Sequence, residues 1–156
     1  AFLYGAGDAK IGTIVGGTSR DGRFLRDRFL RNTPALEALR DRVGQASRRG
    51  YLRGLDGRRL WVRSEHSALN TLLQAAGAVV MKRALLLLDD AATEKNLNYR
   101  FIGNIHDEIQ SEVVTEQAEI YGQLAVSCLK EAGVSFNLRC PLDGEFKIGT
   151  TWADTH

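Results

Sequence analysis

The chain has 156 residues, 44% of them hydrophobic and 26% charged, with a formal net charge of +2. That composition excludes a disordered tail or a disulfide scaffold and predicts a soluble, globular chain with a single core. No run of about 18 apolar residues and no signal-peptide pattern occurs, and Cys128 and Cys140 carry no ligand spacing, so no membrane partner is expected and a reducing cytoplasm fits best.

Ala1-Phe-Leu-Tyr-Gly5 carries neither an initiator Met nor a cap, so the chain is expected to begin inside an element. Gly5, Gly7, Gly12, Gly16 and Gly17 follow closely. They match neither the phosphate-loop nor the dinucleotide pattern, which leaves a helix end, a turn and a short helix. An amphipathic helix is predicted over 21–32 with Phe24, Leu25, Phe29 and Leu30 inward. Thr33-Pro34 reads as an N-cap with Pro at the first helical position, opening a helix to about Ser47. Leu55-Asp-Gly-Arg58 between two apolar runs predicts a β-hairpin.

Ser64 can cap a long helix through about Leu88, ended by Asp89-Asp90. A second hairpin is predicted around residues 98–114 and a helix over 116–132, stopped by Gly133. Residues 134–138 and 144–148 look strand-like. Without βαβ alternation, the fold class is α+β with an antiparallel sheet.

Charge is unevenly distributed. Residues 1–66 hold 14 Lys/Arg against 7 Asp/Glu, whereas residues 67–156 hold 7 against 12. The basic half either faces a polyanion or coats solvated helix faces.

The second hairpin carries the sharpest chemical signal, Ile105-His-Asp-Glu-Ile109. Phe101, Ile105, Ile109 and Val113 keep a period of two, which argues strand. Adjacent carboxylates at a hairpin tip repel and can be drawn together by a cation, as two-metal phosphoryl transfer requires. The plainer reading is an exposed polar turn. His66, Asn70 and Gln74 lie at i, i+4 and i+8 and form one polar stripe. Side-chain amides there could meet the minor-groove acceptors that all base pairs share, or form an exposed helix face.

Taken together, these segments resemble the C-terminal part of family A DNA polymerases, most closely the replicative enzymes of tailed phages. Phe2-Leu-Tyr-Gly-Ala-Gly-Asp8 with Lys10-Ile-Gly12 is similar to the end of motif B. Gly54-Leu-Asp-Gly-Arg58, Val62-Arg-Ser64 and Ala68-Leu-Asn-Thr-Leu-Leu-Gln74 resemble the approach to the palm and its minor-groove helix. Ile105-His-Asp-Glu-Ile-Gln110 resembles motif C. Pro141-Leu-Asp143, Lys147, Gly149, Trp152 and His156 resemble the phage carboxyl terminus.

The resemblance implies partial fingers helices over 1–50 and a partial palm over 51–156, its antiparallel sheet backed by helices. It implies that Asp107 is a catalytic metal ligand, Glu108 an assisting carboxylate that also faces metal, and His106 a neighbour of the primer-terminal phosphate. Tyr4, Arg63, His66, Asn70 and Gln74 would contact DNA. The implied cofactor is Mg²⁺, two ions in a complete enzyme, and the implied partners are primer-template DNA and dNTP in a bacterial host, phage or prophage encoded. In this family a second aspartate comes from motif A, and an arginine and lysine from motif B, upstream of the residues matched here. The chain is therefore expected to act with a complementary N-terminal polymerase fragment or to self-associate, and to be inactive alone. The alternatives are a non-catalytic DNA-binding or assembly module, or a prophage remnant, that keeps the palm fold.

Overall fold

A computed structural model describes residues 6–155; Tyr4 and His156 lie outside the described residues. Two compact units divide between Ala75 and Ala76, each with its own buried cluster, where composition suggested one.

In the first unit, α1 (Asp8–Ile14) packs on α2 (Ser19–Asn32). Gly12 and Gly22 make this approach possible. A Cβ on Gly22 would run into the Asp8 carbonyl and the Gly12 nitrogen, and one on Gly12 into the Thr18 carbonyl. The Asp8–Arg26 ion pair, at 2.5 Å, joins the same helices. Thr18 caps α2: its side chain accepts from the Asp21 amide at 3.4 Å, and the Asp21 carboxylate accepts from the Thr18 amide at 2.7 Å. The inward face predicted for α2 is corrected. Leu30 is buried, but Phe24 and Phe29 are 58% and 43% exposed and Leu25 is also exposed, because the helix turns its glycine toward α1.

Helix α3 (Pro34–Ser47) has the predicted limits. Thr33 occupies the N-cap position, yet its hydroxyl donates back to the Phe29 carbonyl at 2.6 Å and caps nothing ahead. Strands β1 (Tyr51–Arg53) and β2 (Arg59–Trp61) pair antiparallel, with Tyr51 opposite Trp61. Their connection closes through a hydrogen bond from the Gly54 amide to the Arg58 carbonyl at 2.9 Å, with Gly57 at φ +82. Val43, Leu52, Ala68 and Leu69 form the core, sealed by Leu39, Leu60 and Leu72.

A 3₁₀ turn, Glu65–Ser67, leads into α4 (Ala68–Glu94). Ser64 makes no side-chain cap to it. The helix also runs through Asp89-Asp90 rather than stopping there. Its end is a Schellman motif: Asn96 adopts φ 54, the Asn96 amide bonds to the Thr93 carbonyl at 2.9 Å, and the Leu97 amide bonds to the Ala92 carbonyl at 3.0 Å. The helical stretch Glu65–Glu94 is long and apolar enough to cross a bilayer by length and composition. Its Val80, Ala84, Leu88 and Ala92 are buried in protein.

In the second unit β3 (Tyr99–Ile105) and β4 (Glu108–Val113) form a hairpin backed by α5 (Ala118–Ser135). Leu88, Ala92, Tyr121 and Cys128 are the core, with Tyr99, Phe101 and Val113 packed on it. Helix α5 continues past Gly133 and ends in the same motif as α4, with Asn137 at φ 53 and the Leu138 amide on the Gly133 carbonyl at 3.1 Å. The predicted strands 134–138 and 144–148 are not strands. The segment after α5 instead docks side chains, Leu142 against Gly133 and Phe146 against Gly122, with Lys130–Asp143 paired at 3.1 Å. A short α6 (Trp152–Thr155) follows. Among the described residues the strands form two separate two-stranded sheets.

Candidate functional site

The hairpin tip is a two-residue turn, His106-Asp107, between the paired Ile105 and Glu108. Tight hairpin turns that match the strand twist need positive φ at their first central residue. His106 supplies it at φ 56, a conformation that few non-glycine residues adopt, histidine more readily than most. Both turn side chains are exposed. Glu108 is half-buried and accepts a hydrogen bond from Gln110 Nε2. Gln110 Oε1 in turn accepts from Thr155 Oγ1 at 3.5 Å, so the turn over 150–155 reaches β4. That turn is held by Asp154, whose carboxylate accepts from the Thr150 and Thr151 amides at 3.0 and 2.8 Å.

A backbone feature not predicted from the sequence re-aims the tip. Phe101 pairs with Ser111 and Gly103 with Gln110, which leaves Ile102 as a β-bulge. Before the bulge Tyr99 and Phe101 face the core. Beyond it Ile105 pairs with Glu108 and so shares a face with Glu108 and Gln110. The period-two reading of Phe101 with Ile105 is thereby corrected: Ile105 is 39% exposed.

The base of the hairpin is rigidly held. Tyr121 and Ser111 hydroxyls meet at 2.8 Å, and the Tyr99 hydroxyl donates to Asp89 Oδ1 at 2.6 Å. Burial pushes the Tyr121 hydroxyl up to about 12, which keeps it neutral at physiological pH.

His106→Gly should leave the thermal midpoint within a few degrees of the unsubstituted chain, because relief of the left-handed φ roughly offsets the added unfolded-state freedom. His106→Val should lower stability by about 1–3 kcal/mol, since a β-branched residue resists that conformation. Equal midpoints for the two variants would show that the turn does not hold the strand register.

In the first unit the polar stripe is shorter than predicted. His66 belongs to the 3₁₀ turn Glu65–Ser67, and only Asn70 and Gln74 sit on α4. Gln74 and His66 are exposed, while Asn70 is half-buried with its Oδ1 shielded and without a hydrogen-bond partner among the described residues. An amide oxygen so placed is costly unless something else meets it. Arg63 follows β2 and is exposed.

Asp107 and Glu108 supply hard oxygen donors of the kind that Mg²⁺ takes. No group of three His, Cys, Asp or Glu able to hold a metal forms among the described residues. The donors fit one side of a divalent-cation site that needs further ligands.

The helices and small antiparallel sheets have the fold of a polymerase domain, and comparison with known proteins gives the family. The family model for DNA polymerase family A matches residues 1–154, and the chain belongs to that family. It is 40% identical over 163 residues to a DNA-directed DNA polymerase of Escherichia phage Phieco32, covering 100% of this chain and 26% of that protein. It is also 40% identical over 177 residues to the DNA-directed DNA polymerase of Escherichia phage T7, covering 99% and 25%. DNA polymerase I of Aquifex aeolicus is 31% identical over 92% of the chain and 26% of its own length. The fold is similar to that of the POL domain of Pol1 from M. smegmatis, solved in complex with DNA primer-template and dNTP. That likeness has a TM-score of 0.75 at 21% identity, over 84% of this chain and 25% of the other. The chain spans about a quarter of the length of the relatives it matches.

Proposed function

We propose that the chain supplies the motif C side of a DNA polymerase site, which adds dNTPs to a primer 3′-hydroxyl when completed by a polypeptide carrying motif A and the rest of motif B. The observation that carries this reading is the exposed Asp107, fixed at the tip of a two-residue turn in a chain that belongs to family A. The outer edges of β3 and β4 have no strand partner among the described residues, so a further palm strand has somewhere to pair. We place the fingers over 1–50 and the palm over 51–156.

In this reading Asp107 and Glu108 present carboxylate oxygens to divalent metal. When bound, Mg²⁺ would activate the primer hydroxyl and stabilise the leaving pyrophosphate. Gln110 orients Glu108 through its amide. His106 stands beside the terminal phosphate. Asn70 and Gln74 meet the minor groove of the nascent pair, their amide N–H groups donating to the acceptors there, with His66 and Arg63 beside them, and Tyr4 contacts DNA as well.

Purified alone, the chain should not extend a primed template with dNTPs and Mg²⁺. Mixed with the complementary fragment, it should co-elute and restore Mg²⁺-dependent addition. Gln74→Ala should then weaken mismatch discrimination while leaving assembly intact. Robust extension by the lone chain would overturn the need for a partner. A chain that ignores the fragment, or associates only with itself, would favour a non-catalytic module.

A further inference from the structure

The first unit carries an aromatic and arginine surface that the polymerase reading leaves unassigned. Residues 48–63 hold six arginines and one acidic residue, Asp56. Among the described residues, the ion pairs of this segment are Arg58 with Asp56 at 2.6 Å and Arg48 with Glu65 at 3.8 Å. Arg49 and Arg59 instead lie over the Tyr51 ring, at 4.8 and 5.0 Å from its centroid. Trp61, directly across the ladder from Tyr51, meets that ring edge-on at 5.9 Å. Trp61 is 71% exposed. Arg49 is further fixed by its Nε–H to the Tyr51 carbonyl at 3.0 Å, and Arg53 by a guanidinium N–H to the Gly57 carbonyl at 3.3 Å.

We propose that the β1–β2 hairpin docks a single DNA strand, with Trp61 as a stacking platform for an unpaired base and Arg49, Arg53 and Arg59 as phosphate contacts. Charge selects the polyanion. The aromatic rings then select among polyanions: an open indole face beside ordered guanidinium groups suits a base whose own face is free. Duplex DNA offers no free base faces along its length, and an acidic peptide has no use for the ring. The assignment deepens the polymerase reading and rests on it for the identity of the strand, the unpaired template. Binding itself requires no nucleotide addition.

The test uses the full 156-residue chain with Trp152→Phe, so that Trp61 alone reports fluorescence. Titration with an oligothymidylate should quench Trp61 saturably. Affinity should fall with salt, and Arg59→Ala should flatten the log–log slope by about 0.7, the share of one single-strand phosphate contact. Read by the anisotropy of a dye-labelled oligothymidylate, Trp61→Ala should weaken binding on the order of tenfold, as loss of one stacked base does, whereas Trp61→Phe should retain most of it. Circular dichroism checks that each variant stays folded, as an exposed position allows. The proposal is overturned if Trp61→Ala binds as tightly as the unsubstituted chain, or if blunt duplex or polyglutamate quenches Trp61 as well as the single strand does. Failure here leaves the Asp107 reading standing, and failure of extension leaves this one standing.

Discussion

Asp107→Ala should abolish nucleotide addition by the complemented polymerase while leaving the chain folded and assembled. The expected loss is on the order of 10³-fold or more in single-turnover extension, the scale seen when a group stabilising developing transition-state charge is removed. Stability should change by less than about 0.5 kcal/mol, because the side chain is exposed in a turn and its backbone φ is not positive. Asp107→Asn keeps the shape and removes the charge, so it should be as inactive as the alanine variant. Gel filtration of the complex and extension of a primed template separate the two effects. Activity within tenfold of the unsubstituted complex would show that the turn carboxylate does not hold metal.

The largest stability effect should come from Leu88→Ala, at about 3–5 kcal/mol. Among the described residues Leu88 is the largest side chain that is fully buried. Truncation leaves a cavity bounded by Ala92, Tyr121 and Cys128 and their neighbours, and these cannot all collapse inward without moving the hairpin. Leu86→Ala is the internal control. It removes the same atoms from the same helix at a position 59% exposed and should cost less than about 1 kcal/mol. Urea denaturation, followed by near-ultraviolet dichroism of the Tyr99–Phe101–Tyr121 ring cluster, reports both. Equal shifts for the two variants would mean that this core does not govern the unit.

Local signals made much of the fold legible. Thr33-Pro34 marked the start of α3, and Asp56-Gly57 marked the first hairpin, because each is a short-range steric instruction. The second hairpin was readable because three ionisable residues interrupt two apolar runs. Helix ends were misjudged for one reason. In both α4 and α5 the left-handed residue is asparagine, Asn96 and Asn137, whereas Gly133 and Asp89-Asp90 looked like better stops. A glycine inside a helix reads as a break, yet Gly133 and Gly122 are there to admit Leu142 and Phe146. Those same contacts explain why 144–148 is no strand, since its alternation serves docking on a helix.

The site was only partly legible. Asp107 sits exposed in the hairpin turn while Glu108 opens β4 half-buried, and Asn70 and Gln74 share a helix. The bulge at Ile102 could not be foreseen, since an inserted residue leaves no mark in composition and shifts every later position to the opposite face. Nor does spacing alone distinguish a 3₁₀ turn at His66 from the first turn of α4. The apolar pattern of α2 was misread because a close glycine contact replaced the large side chains as the inner surface.

The bulge also bears on what β3 can pair with. A smooth, uninterrupted edge strand accepts copies of itself, which is how such edges seed fibrils. With Ile102 unpaired, the β3 edge changes register midway and twists more sharply. An incoming strand must match two offsets at once. Identical chains stacked edge to edge would meet in conflict, so this edge is discriminating toward partners and resistant to homotypic growth.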